Sequence, residues 1–196
     1  MTLDERALRR LLWVAVALVA LGVWFFVLRG ADQPDDPVLG APSTPAGYIP
    51  PGDPDRVPID GFSEVAIAVE PADGEGLLAW CLLAAMDAAE RSRGLMEVTD
   101  LQGYSGMAFV YGEEQANGFY MRNTPMPLSI AWIDRSGKVV STADMAPCEN
   151  RDDCPTYPPA GPYRLAVEVP QGQLDDLGIT PGATVTVAGD CAPRPT

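Results

Sequence analysis

Arg122-Asn123-Thr124 places a cation, an amide and a hydroxyl side by side at a chain break marked by Pro125 and Pro127. Such a row can offer several donors to an anionic or sugar-like ligand. Asp134, at the end of the next apolar segment, and Glu90 and Arg93, near the end of an expected helix, are candidates to join it. These six residues are the ligand-binding candidates. Turn chemistry accounts for the same residue types: Asn123 and Thr124 can satisfy backbone groups, with Arg122 paired to an acid. A carboxylate-based hydrolase or lyase acting on the cell envelope is a second reading, with Asp134 and either Glu90 or Glu168 as acid and base. A purely structural domain is a third.

Other chemistries are narrowed by what the chain lacks. It has no histidine, which removes Ser-His-Asp and Cys-His nucleophiles and every His-based metal site. Neither G-x-x-x-x-G-K-[ST] nor G-x-G-x-x-G occurs, so no motif supports nucleotide binding. Glu149, Asp152 and Asp153 cluster as oxygen donors of the kind Ca²⁺ takes, but at no EF-hand spacing. Met96, Met107, Met121, Met126 and Met145 invite a thioether copper site, yet their apolar surroundings suit core filling. No cofactor and no metal is expected.

Cys81, Cys148, Cys154 and Cys191 form an even set, which reads as disulfides in an oxidising compartment. Of three pairings, Cys148–Cys154 with Cys81–Cys191 is favoured. A four-cysteine zinc site is the alternative, without a C-x-x-C pair to support it.

The elements that position these residues follow an uncharged run at 11–28. As a helix it spans about 27 Å, close to the hydrocarbon thickness of a bilayer. Arg6, Arg9 and Arg10 precede it and Arg29 alone follows closely, which sets residues 1–10 in the cytoplasm and the rest outside. The expected organisation is an uncleaved signal anchor, a Pro-rich tether over 29–60, a globular domain over 61–190 and a tail at 191–196. Localisation at the cell membrane follows, with the anchor as the membrane partner. Beyond Arg29 there are 9 basic against 25 acidic residues, a net charge of −16, which argues against nucleic acid. An envelope protein or a small polar ligand remains as partner.

Within the domain, alternating or continuous apolar segments predict strands at 64–70, 77–83, 106–111, 118–121, 163–169 and 184–188. Residues 128–142 predict a hairpin turning at Asp134–Gly137. Asp87 with Glu90 has capping-box spacing, so 86–93 is a short helix stopped by Gly94, and 174–177 is a candidate helical turn. The fold class is mostly β with one or two short helices: a curled antiparallel sheet, barrel-like, after an N-terminal transmembrane helix.

Several strings carry a resemblance: Glu90-x-x-Arg93-Gly94-Leu95-Met96, Gly106-Met107-Ala108-Phe109-Val110, Phe119-x-Met121-Arg122-Asn123-Thr124, Pro127-Leu128-x-Ile130, Ile133-Asp134 and Tyr163-x-Leu165-x-Val167-Glu168-Val169-Pro170-x-Gly172. Their order and spacing over about residues 64–188 resemble the domain-of-unknown-function 192 family. The resemblance implies a compact β-barrel-like domain, often exported or membrane-anchored, with no established activity. Arg122 stands where the family usually has Lys, which keeps the charge and changes its geometry. Ala183 stands where an acidic residue is common, so a role resting on that acid does not carry over.

Overall fold

The computed structural model describes residues 55–74 and 76–192. The apolar run at 11–28 and most of the tether lie outside these residues. Among the described residues no helix is long and apolar enough to cross a membrane.

Among the described residues, nine strands and one helix appear in chain order: β1 (Ser63–Glu70), β2 (Leu78–Ala85), α1 (Ala88–Arg93), β3 (Met107–Gln115), β4 (Phe119–Tyr120), β5 (Leu128–Ile133), β6 (Val139–Met145), β7 (Thr156–Tyr157), β8 (Tyr163–Pro170) and β9 (Thr184–Gly189). Seven strands form one sheet in the order β6-β5-β8-β3-β2-β1-β9, and β4 and β7 make a separate two-stranded ribbon. The pairs are antiparallel except β2–β3, which run parallel. Parallel neighbours need a crossover, and residues 86–106 supply it, with α1 inside.

The sheet curls but does not close into a barrel. Its edge strands touch at one end only, where Val139 N–H donates to the Ala183 carbonyl (3.2 Å) and Val185 N–H to the Gly137 carbonyl (2.7 Å). The concave and convex faces each bury a cluster. One joins Ile67, Leu82, Ile133, Val167, Val169 and Val185 beneath the 174–179 turn. The other joins Leu83, Met107, Phe109, Ile130, Trp132 and Tyr163 beneath the crossover and the ribbon. Central strands buried on both faces read as continuous apolar runs, as β2 and β5 do.

Both favoured disulfides are present, Cys81–Cys191 and Cys148–Cys154, with Cα–Cα distances of 5.5 and 6.0 Å. The first links positions 110 apart in sequence and contributes roughly 4–5 kcal/mol on the chain-entropy model. The second closes a short loop and contributes about 2 kcal/mol. Ahead of β1, Arg56 is buried and forks onto Glu64 (Nε–Oε2 2.9 Å, Nη2–Oε1 3.0 Å) while reaching the Ala192 carbonyl (2.5 Å). One guanidinium therefore ties the segment entering the domain to the one leaving it.

Candidate functional site

Alternation in β8 sends Leu165, Val167 and Val169 to one cluster, and so turns Ala166 and Glu168 to the other face. Glu168 lies directly opposite Met107 of β3 and Ile130 of β5, both fully buried. It is itself 4% exposed. Among the described residues its carboxyl has no ion pair and no hydrogen bond, and burial alone pushes it up to about 8. At neutral pH it is therefore mostly protonated, able to donate one hydrogen bond and accept others. Across the β5–β8 pair its diagonal neighbour is Trp132, whose Nε1–H is buried without a partner.

The crossover forms the roof. Asp87 caps α1, accepting from the amides of Ala89 and Glu90 (both 2.8 Å), and Glu90 returns Oε2 to the amide of Asp87 (3.0 Å). Gly94 ends the helix at φ 48°, with its N–H donating to the Glu90 carbonyl (2.8 Å). A Cβ there would stand 3.2 Å from the Phe109 ring, so the turn lies tight on β3. The Arg93–Met96 segment, the ends of β3 and β4, Thr124, Tyr163 and Glu168 thus enclose a half-open cleft of about 140 Å³. A volume of that order holds a benzene-sized molecule and falls below the roughly 300–1,000 Å³ of drug-sized sites.

Aromatic rings make much of the wall. Phe109 and Phe119 meet edge to face with centroids 5.0 Å apart, as do Tyr111 and Tyr163 at 5.5 Å. Tyr163 donates to the Asn117 carbonyl (2.9 Å). Burial first, then Tyr111's field and hydrogen bond, raise the Tyr163 hydroxyl above its ordinary range. Burial also raises Tyr111, whose ring carries the Arg91 guanidinium 4.9 Å from its centroid. Arg91 donates to the Val110 carbonyl (3.0 Å). Arg93 donates to the Asp60 carbonyl (2.8 Å) and stacks over Phe62. Both arginines line the cleft, each holding a backbone carbonyl and a ring.

The six candidates from the sequence separate. Thr124 and Arg93 line the cleft. Glu90 is consumed by the helix cap. Arg122 turns to the disulfide loop, donating to Asn150 Oδ1 (2.8 Å) and pairing with Asp152 (2.8 Å). Asn123 adopts φ 56° and is clasped to Glu97, itself at φ 62°. The Glu97 amide donates to the Asn123 carbonyl (2.9 Å), and Asn123 Nδ2 donates to Glu97 Oε1 (3.0 Å). Asp134 folds the β5–β6 turn, accepting from the Ser136 amide (2.8 Å) and the Lys138 amide (3.0 Å). It sits at the far end of β5 from Arg122, roughly 17 Å of strand away, so the proposed cluster does not assemble. Of the acids offered for envelope hydrolysis, only Glu168 reaches the cleft.

The acidic loop is likewise partnered: Asp152 to Arg122, and Asp153 to Arg151 (3.4 Å). Met107, Met121 and Met145 are fully buried core residues. Glu64, Cys81 and Cys191 lie within metal-binding reach of one another. Their sulfurs are bonded together, and Glu64 holds Arg56, so neither thiolate nor free carboxylate is presented.

What sequence reasoning missed is the aromatic wall and the isolation of Glu168. One signal was legible: an acid in the otherwise apolar Val167-Glu168-Val169 of a strand buried on both faces. The separate strings Arg93–Met96, Gly106–Val110, Phe119–Thr124 and Tyr163–Gly172 each contribute to this single cleft.

The chain also has relatives of known sequence family and structure. Residues 69–187 match the sequence profile of DUF192, described as an uncharacterized ACR. No curated protein matches the sequence. A protein of unknown function from Novosphingobium aromaticivorans DSM 12444 is 30% identical with a TM-score of 0.58, covering 75% of this chain and 99% of that one. A candidate transcription regulator from Sinorhizobium meliloti 1021 is 22% identical with a TM-score of 0.57, covering 67% of this chain and 99% of that one. The latter likeness is one of fold.

Proposed function

The chain belongs to the DUF192 family, and on that premise we propose that it is a binding module held outside the cytoplasm by residues 11–28, its cleft over Glu168 taking a small polar ligand. One observation carries the reading. A carboxyl that is 4% exposed, faces a narrow cleft and has no partner in the described protein is poorly solvated, which weighs against the fold. A domain with only a structural role gains nothing from it, whereas a ligand that satisfies it recovers the loss. Groups kept against stability are characteristic of functional sites.

The anchor rests on the uncharged run and its arginine flank. Two closed disulfides suit an oxidising compartment. The two-carboxylate hydrolase has less support, since among the described residues the cleft is lined by one carboxyl.

The test is thermal unfolding of the purified full-length chain in detergent against small amines, amino acids, carboxylates and sugars, with Glu168→Gln alongside. A ligand at about a hundred times its dissociation constant stabilises by about 2.7 kcal/mol. One chemical class is expected to raise the wild-type midpoint and to lose that effect in the variant. Equal shifts in both proteins, or none in either, contradict the assignment. Protease added to intact cells is expected to remove the domain and leave residues 1–28; a protected domain contradicts the topology.

A further inference from the structure

We infer that the cleft is built for a small zwitterion, its ammonium group seated on Glu168 against the aromatic wall and its anionic end beside Arg91 and Arg93. The inference rests on the reading of the cleft as a ligand site and narrows what that ligand is.

Glu168 is the carboxyl the cleft presents, and no cation of the described protein reaches it. Arg91 and Arg93 also line the cleft, tied to the carbonyls of Met86, Val110 and Asp60 and to the rings of Tyr111 and Phe62. A ligand cation supplies the missing partner and turns an isolated acid into an ion pair in a poorly solvated site. Phe109, Phe119 and the two tyrosines add ring quadrupoles, which attract ammonium and quaternary ammonium groups. A neutral ligand uses only the protonated acid and leaves the ring attraction idle. A bare cation shares the cleft with two guanidinium groups, an objection that a carboxylate or phosphate on the same ligand removes. Each guanidinium has five donors, more than the carbonyl contacts consume. The volume, about 140 Å³, is of the size that takes a small headgroup.

Calorimetric titration of the full-length chain in detergent tests this with glycine betaine and 3,3-dimethylbutyrate, which share shape and carboxylate and differ in the charged nitrogen. Betaine is expected to bind on the order of tenfold tighter or more, with the preference lost in Glu168→Gln. That variant is first shown to melt cooperatively, so that loss of preference is not loss of fold. If dimethylbutyrate binds as well as betaine, the cation is wrong and the cleft reading stands. A betaine preference that survives in Glu168→Gln also overturns the inference, because the cation is then held elsewhere. If neither compound binds and no neutral polar probe of similar size shifts the melting midpoint, the inference and the cleft reading both fall.

Discussion

Gly106 lies so close over Glu168 that a Cβ built on it would stand 2.1 Å from the Glu168 carbonyl oxygen. The Gly106 carbonyl meanwhile accepts the Leu83 amide at 2.9 Å. The glycine is needed here for its missing side chain, letting the start of β3 press onto β8 at the point where the acid is buried.

Gly106→Ala is therefore expected to push β3 from β8 and to cost about 3 kcal/mol, at the upper end of overpacking effects. Chemical denaturation measures it. A change below about 0.5 kcal/mol, the range of an ordinary surface substitution, would show that the strands have room to part.

Stability should fall as pH rises from about 4.5 to about 8. The native state there retains a proton on Glu168 that the unfolded chain has released. This contribution is fully present below the unfolded value of 4.5 and is lost as pH rises through the folded value of about 8. The total is on the order of 3–5 kcal/mol. Glu168→Gln removes this slope and is the more stable protein at pH 8. Denaturation curves at matched pH compare the two; parallel wild-type and variant profiles would mean that Glu168 is not desolvated.

Arg122→Ala and Asn123→Ala should differ, although the residues are adjacent. Arg122 pairs with an Asp152 side chain that is 92% exposed, so its loss is expected to cost less than about 1 kcal/mol. Asn123 holds a left-handed backbone and the side-chain bond to Glu97. Its loss is expected to cost about 1–2 kcal/mol. Thermal unfolding ranks them, and the reverse order would restore Arg122 as the more important residue.

Much of the fold was legible because its signals are local. The Asp87–Glu90 cap, the alternation of β1 and β8 and the Asp134–Gly137 turn are each set by residues a few positions apart. The disulfide pairs also followed from few alternatives. The parallel β2–β3 pairing and the two-residue β4–β7 ribbon were not legible, since each joins segments whose pairing no short pattern encodes. The site failed for a related reason. Arg122, Asn123 and Asp134 have the residue types of a binding site, but turns and caps use the same types. Glu168 was named only as one of several acids. Its significance depends on having Met107 and Ile130 as neighbours, which is a property of register and not of sequence spacing.

Whether Glu168 is an unmet acid is read directly by a ¹³C NMR titration of the side-chain carboxyls of the full-length chain, with the Glu168 signal assigned by its absence in Glu168→Gln. A midpoint near 8 is expected, with a fall in that midpoint when glycine betaine is added. A Glu168 carboxyl that titrates near its ordinary value of 4.5 would contradict this: the group would then be solvated or paired, and the cleft would have no unmet acid for a ligand to satisfy.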